Sequence, residues 1–150
     1  MEGDKTSTES VTCTILCIDH TDMCYRVCAD CERTISTPIS LCSFCHSSNS
    51  KRLFRILMSV ATHTQVLTVI CFDRVSTLLF GCSADHFFNF AKLHPFSEIT
   101  VNEILEGEMF TMTLSKPINA NAQHIRVTSA VPLSSKFRPA IQVLRESYAS

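Results

Sequence analysis

Four cysteines stand in two C-x-x-C pairs, Cys28-Ala29-Asp30-Cys31 and Cys42-Ser43-Phe44-Cys45, with ten residues between them. Each pair fits one tight turn, so both of its thiolates can reach one ion, and two such turns complete a tetrahedron. Sulfur ligands in that arrangement select zinc. Four protein ligands leave no position for water, so the chemistry expected is structural and not catalytic. Cys24 and His46 lie near enough in sequence to substitute as ligands, and a pair of disulfides is the other use open to these thiols. Cys13, Cys17, Cys71 and Cys82 fall in predicted strands or helix ends and read as core thiols. The count of nine cysteines is odd, and the polar start MEGDKTSTES has no apolar signal core. A zinc site in a reducing compartment therefore fits better than a secreted disulfide framework.

Nothing else in the chain reads as a reaction centre. Phosphate-loop, H-E-x-x-H and nucleophile-elbow patterns are absent from the sequence. His20, His63, His86, His94 and His124 are scattered, and a metal pair among Asp19, Asp22 and Asp30 has no supporting pattern. A RING-type module needs eight ligands, and only four are well spaced. The chain is not expected to be an enzyme. No apolar run approaches the roughly 20 residues of a membrane span, so no membrane partner is expected. The net charge is −1 with cysteines neutral. Zinc on four thiolates would take it to about −3, so any contact with nucleic acid must come from a local patch.

The elements that must position the cysteines follow from periodicity and punctuation. Val11 to Asp19 reads as a strand with Thr12, Thr14, Leu16 and Ile18 on one face. Arg52 to Thr62 and Gln65 to Phe72 are β-branched runs joined by the turn Thr62-His63-Thr64. Asp73 to Phe80 switches to helical period, with Val75, Leu78 and Leu79 on one face and Gly81 closing it. Ser83 caps a second helix carrying Phe87, Phe90 and Ala91, which Pro95 ends. Thr100 with Glu103 forms a capping box, with Ile99 and Ile104 as its staple. Met109 to Ser115 and His124 to Val131 are strands around a turn at Pro117 to Gln123. Ser134 or Ser135 caps a last helix, with Pro139 in its first turn and a stripe of Phe137, Ile141, Leu144 and Tyr148.

This order resembles the zinc-containing OB-fold at the C-terminus of the replication protein A large subunit and its paralogues, the meiotic one included. Met23-Cys24-Tyr25-Arg26-Val27-Cys28 is similar to that family's entry to the zinc ribbon, and Phe54 to Val60 to the strand leaving it. Phe72 followed by Leu78-Leu79-Phe80-Gly81 resembles its strand-to-helix passage. Met109-Phe110-Thr111-Met112 and Ile125-Arg126-Val127-Thr128 resemble its last two strands. The short turn at Thr62 to Thr64 and the lack of tryptophan depart from the family.

The resemblance implies an all-β fold with added helices: an OB-fold barrel with an inserted zinc ribbon and a C-terminal helix. A disordered tail is expected over 1–10, the OB-fold over 11–133 with the ribbon at about 24–47, and an assembly helix over 134–150. It implies single-stranded-DNA binding within a replication-protein-A-like complex in the nucleus, serving replication, repair or recombination. The alternative is a protein-interaction module with little DNA binding of its own. A complete large subunit would carry further OB-folds ahead of this one, so a fragment or short paralogue is expected. OB-folds stack bases on aromatics along a basic groove. The candidates are Tyr25, Phe54, Phe72, Phe88 and Phe110, with Lys51, Arg52, Arg55, Lys92 and Arg126. Each phenylalanine could instead fill the core, and each cation could be a solvated surface charge. The stripe of Phe137, Ile141, Leu144 and Tyr148 either packs on its own barrel or contacts other OB-fold subunits.

Overall fold

The computed structural model describes residues 6–35, 41–117 and 124–149. The chain forms β1 (Thr6–Ile18), β2 (Cys24–Cys28), β3 (Ser50–Ala61), β4 (Val66–Phe72), α1 (Asp73–Phe80), α2 (Ala84–Leu93), α3 (Ser97–Leu105), β5 (Met109–Pro117), β6 (Ile125–Pro132) and α4 (Ala140–Ser147). The strands run in the order β1-β5-β6-β4-β3-β2, and β1 also pairs with β3. That pairing and the parallel contact of β4 with β6 (Val69↔Ile125, Ile70↔Arg126) close a five-stranded barrel. β2 stays outside it, added to the free end of β3 from Cys24↔Phe54 to Cys28↔Ser50. This is an OB-like barrel with four helices, as the resemblance implied.

β1 serves two partners. It pairs with β5 from Thr6↔Pro117 to Thr14↔Met109, then with β3 from Thr14↔Ala61 to Ile18↔Met58. Residues 6–10 therefore belong to the sheet and not to a disordered tail, because their backbone groups are taken up by β5. Residues 1–5 lie outside the described ones. A register shift between Ile15 and Cys17 breaks the single face expected of Thr12, Thr14, Leu16 and Ile18. Cys13 and Ile15 point inward, Leu16 points out, and the bulge returns Ile18 to the core. The bulge is held by Asn102 Oδ1, which accepts from the Ile18 N–H at 2.6 Å, and by the Gly107 N–H donating to the Ile15 carbonyl at 2.8 Å.

The core is the inner alternation of β3 (Phe54, Ile56, Met58, Val60) and β5 (Phe110, Met112, Leu114), with Val75, Leu79, Phe80, Phe87, Val101 and Leu105 from the helices. Phe54 is wholly buried, its ring 4.5 Å from that of Phe80, and Phe80 lies 4.9 Å from Phe87.

Helix ends depart from expectation where local chemistry decides them. Gly81 closes α1 in the left-handed conformation (φ 79°), and Ser83 Oγ caps α2 by accepting from the His86 N–H. Leu78, expected inward, is exposed, and Ser76 takes its place, its hydroxyl donating to the Cys71 carbonyl. The Thr100–Glu103 box does not start α3, which begins at Ser97 after Phe96 in the left-handed region. Thr100 Oγ1 instead donates to the Phe96 carbonyl. The last helix begins at Ala140 and not at 134–135, because a residue before proline is driven out of the helical region and Pro139 itself sits extended at the N-cap. The turn expected at Pro117 to Gln123 lies outside the described residues, apart from Pro117 at the end of β5.

Candidate metal centre and nucleic-acid interface

β2 ends at Cys28, and its backbone sets the first cysteine turn. The Glu32 N–H donates to the Cys28 carbonyl, and the Cys28 N–H to that of Arg33. The second turn repeats this: His46 N–H to Cys42 carbonyl, Cys42 N–H to Ser47 carbonyl. Both turns need a left-handed residue after the second cysteine, filled by Glu32 and His46, each at φ 62°. The two turns face each other. Cys28 Sγ lies 3.4 Å from Cys45 Sγ, Cys31 Sγ lies 3.7 Å from Cys42 Sγ, and all four sulfurs lie within 4.8 Å of one another. A tetrahedron with metal–sulfur bonds of about 2.3 Å has edges of about 3.8 Å, so the sulfurs fit one ion between them. Cys24 and His46 are not part of the set. The middle of the loop between the turns, residues 36–40, lies outside the described residues.

The electrostatics ask for a cation. Cys28 is lowered to about 6, chiefly by the Cys31 N–H aimed at its sulfur, and the Cys45 and Phe44 N–H groups lower Cys42. The other two go up. At Cys45 the Ser47 N–H favours the thiolate, but the neighbouring Cys28 sulfur and desolvation outweigh it and push the group up to about 12. At Cys31 the Arg33 N–H is likewise outweighed, by desolvation and the Cys42 sulfur. Crowded sulfurs resist giving up every proton unless a positive ion sits among them.

The second site lies where β2, β4, α1 and β6 meet. Tyr25, Phe72, Arg74, Val75, Arg126, Val127 and Thr128 line an open hollow of about 390 Å³. The rings of Tyr25 and Phe72 stand edge to face, 6.4 Å apart, and the Arg126 guanidinium lies over Phe72 at 4.7 Å. Arg55 stands opposite Phe72 in the β3–β4 register. Among the described residues, no carboxylate lines the hollow. The nearest in sequence, Asp73, accepts from the Phe54 N–H. A local basic patch thus exists on a chain of net charge −1.

Three expected nucleic-acid residues, Tyr25, Phe72 and Arg126, come together here, with Arg55 beside them. Five do not. Phe54 and Phe110 are core residues with no ring face to offer. Lys51 is paired with Glu32 at 2.9 Å and Arg52 with Asp85 at 2.8 Å, so the cation cluster expected at 51–55 is largely neutralised. Lys92 is exposed in the last turn of α2, away from the lining residues. Phe88 also stays away, packed on Phe54 and Phe87. Arg74 was not anticipated. Its only sequence signal is that it follows Phe72 at the strand-to-helix junction.

The C-terminal stripe is spent within the molecule. Ile141 and Leu144 are buried, and the Phe137 ring packs 5.2 Å from that of Phe110. The Tyr148 hydroxyl donates to the Pro95 carbonyl at 2.7 Å. Of the two uses open to the stripe, Ile141 and Leu144 pack on their own barrel, while Phe137 and Tyr148 stay partly exposed at its edge.

Residues 9–130 match the family model of the replication factor-A C terminal domain. No curated protein matches the chain. Among solved structures, the fold is similar to a chain of a replication protein A heterotrimer bound to single-stranded DNA. The TM-score is 0.74 with 17% identity, over 88% of this chain and 33% of that one. It is also similar to a chain of yeast RPA bound to single-stranded DNA, with TM-score 0.64 and 18% identity over 92% of this chain and 83% of that one. The chain thus spans about a third of the length of the first of these.

Proposed function

Since the chain belongs to the replication factor-A C-terminal domain family, we propose that it is a single-stranded-DNA-binding OB-fold module of a replication-protein-A-like complex, acting in the nucleus in DNA replication, repair or recombination. The observation that carries this reading is the hollow. Two aromatic rings and two arginines meet on an open barrel face with no acid among its described lining residues, which suits bases stacked on rings and phosphates held by guanidinium groups. Arg74 and Arg126 line the hollow with the rings, so a strand lying there meets cations beside its bases.

Zinc at Cys28, Cys31, Cys42 and Cys45 completes the reading, supported by the spacing of the sulfurs. When bound, the ion supplies cross-linking and no reaction chemistry. The residues it joins hold the end of β2, and β2 carries Tyr25 to the hollow.

Fluorescence anisotropy of a labelled oligo(dT) with the full chain tests the proposal. Binding at low salt is expected, and Phe72→Leu should weaken it by about 5- to 150-fold, the worth of one base stack. An absence of low-salt binding, or an unchanged affinity in the Phe72 variant, would refute the DNA reading of this face.

One observation favours subunit assembly beside DNA binding. Leu93, Phe96 and Ile99 are exposed around the turn from α2 to α3, and Phe96 is held there in the left-handed conformation, φ 68°. This corner then offers a contact for another OB-fold subunit. Phe96→Glu should reduce co-purification with co-expressed OB-fold subunits while leaving the unfolding midpoint nearly unchanged.

A further inference from the structure

We propose that Arg126 is a displaceable cover on the stacking ring of Phe72. In the free protein its guanidinium occupies the ring, and an arriving base takes that place while the guanidinium turns to a phosphate of the same strand. The inference rests on the single-strand reading above and adds to it how the site is kept before binding.

The barrel sets the contact. Ile70↔Arg126 is one of the parallel pairs that close the sheet, and Phe72 lies two residues further along β4 on the same face. Arg126 therefore reaches the ring because closure puts it there. Its guanidinium carbon lies 4.7 Å from the ring centroid. Among the described residues it makes no ion pair, whereas Lys51, Arg52, Lys116 and Arg138 are each held by a carboxylate. Among the described residues nothing but the ring holds its charge, and the side chain is exposed. Phe72 and Arg126 both line the hollow, so the covered ring belongs to the surface a base would use.

The exchange runs downhill. An exposed cation–π contact is weaker than a base stacked on the same ring. The displaced guanidinium then gains a charge-assisted, two-pronged contact to phosphate. Arg126 therefore opposes binding through the ring and favours it through the backbone. Salt separates the two, because it screens the phosphate contact and leaves the stack nearly untouched.

The experiment measures oligo(dT) affinity of the full chain across a salt series for wild type, Arg126→Ala, Phe72→Leu and the double variant, with circular dichroism and metal content checked for each. At low salt Arg126→Ala should bind about 3- to 10-fold more weakly, with the slope of log K against log salt reduced by about one. At high salt the order should reverse, with Arg126→Ala about 2- to 5-fold tighter because the ring is already open. The reversal should vanish in the Phe72→Leu background. If Arg126→Ala is weaker or equal at every salt concentration while Phe72→Leu still loses affinity, Arg126 stays in the bound stack and the exchange is overturned, with the single-strand reading intact. If wild type does not bind or Phe72→Leu has no effect, both readings fall together.

Discussion

Glu32 and His46 do the same unusual thing at the same place. Each follows the second cysteine of a pair and sits at φ 62°, a conformation that suits glycine and costs other residues about 1–2 kcal/mol. Sulfur geometry and backbone hydrogen bonds of the turns impose it. His46→Gly should therefore stabilise the domain by about 0.5–1 kcal/mol, the strain relieved less the added freedom of the unfolded chain. Urea unfolding with metal bound measures it. Glu32 is the poorer test, since its carboxylate also holds Lys51. The cysteines predict a larger effect. Cys42→Ser should drop zinc from about one equivalent to near none and lower the melting temperature, because loss of a ligand removes binding energy that is also folding energy. Elemental analysis and a thermal scan check both. The close pairs of C-x-x-C were legible because spacing alone decides whether two thiolates reach one ion. The positive φ after each pair was not, because neither residue is the glycine that usually marks it.

At the scale of elements, the contact between α1 and α4 is the one most open to test. Gly81 ends α1 at φ 79°, and a Cβ placed on it would lie 2.4 Å from the Pro139 Cβ at the start of α4. Gly107 has a similar φ of 87° but nothing within 4 Å. Gly81→Ala should cost about 2–4 kcal/mol and Gly107→Ala about 1–2 kcal/mol, since both lose the conformational freedom and only the first meets a clash. The difference between the two in denaturant unfolding reads the α1–α4 contact. Ile141→Glu with Leu144→Glu belongs here as well. Both side chains are buried, so the change places two carboxylates in the core and should unfold the domain. A folded protein that had lost only its association would contradict this packing. Helix periodicity found the stripe, but period says which residues share a face and not what covers it. That is also why Leu78 was misplaced: α1 is short, and a rotation of less than one residue exchanges it for Ser76.

The whole molecule concentrates a small charge where it counts. A net charge of −1 leaves no overall excess of cations, so DNA contact falls to local clusters. Arg52 and Lys51 are tied to acids, while Arg74 and Arg126 line the hollow with two rings. The expected salt slope for oligo(dT) is accordingly shallow, equivalent to about 2–4 phosphates. A slope beyond that range would place DNA on cations outside the hollow. The barrel's closure makes this gathering possible, since Tyr25 and Arg126 are 101 positions apart in the chain and meet only because β2 and β6 flank the β3–β4 pair.

Local sequence was enough for the spacing of the four cysteines, the order of the elements other than β2, the period-two alternation along β3 and β5, and the caps at Gly81 and Ser83. All of these are set by neighbours within a few positions. Tertiary structure decided the rest. It chose which phenylalanines are core (Phe54, Phe110) and which stay at the surface (Phe72), which cations are neutralised by acids from distant helices, and that α4 closes over its own barrel. The bulge at Leu16, the Arg126–Phe72 contact and the hollow itself depend on pairings between strands far apart in the chain. A residue's type limits what it can do, and its cross-strand neighbours decide whether it is free to do it.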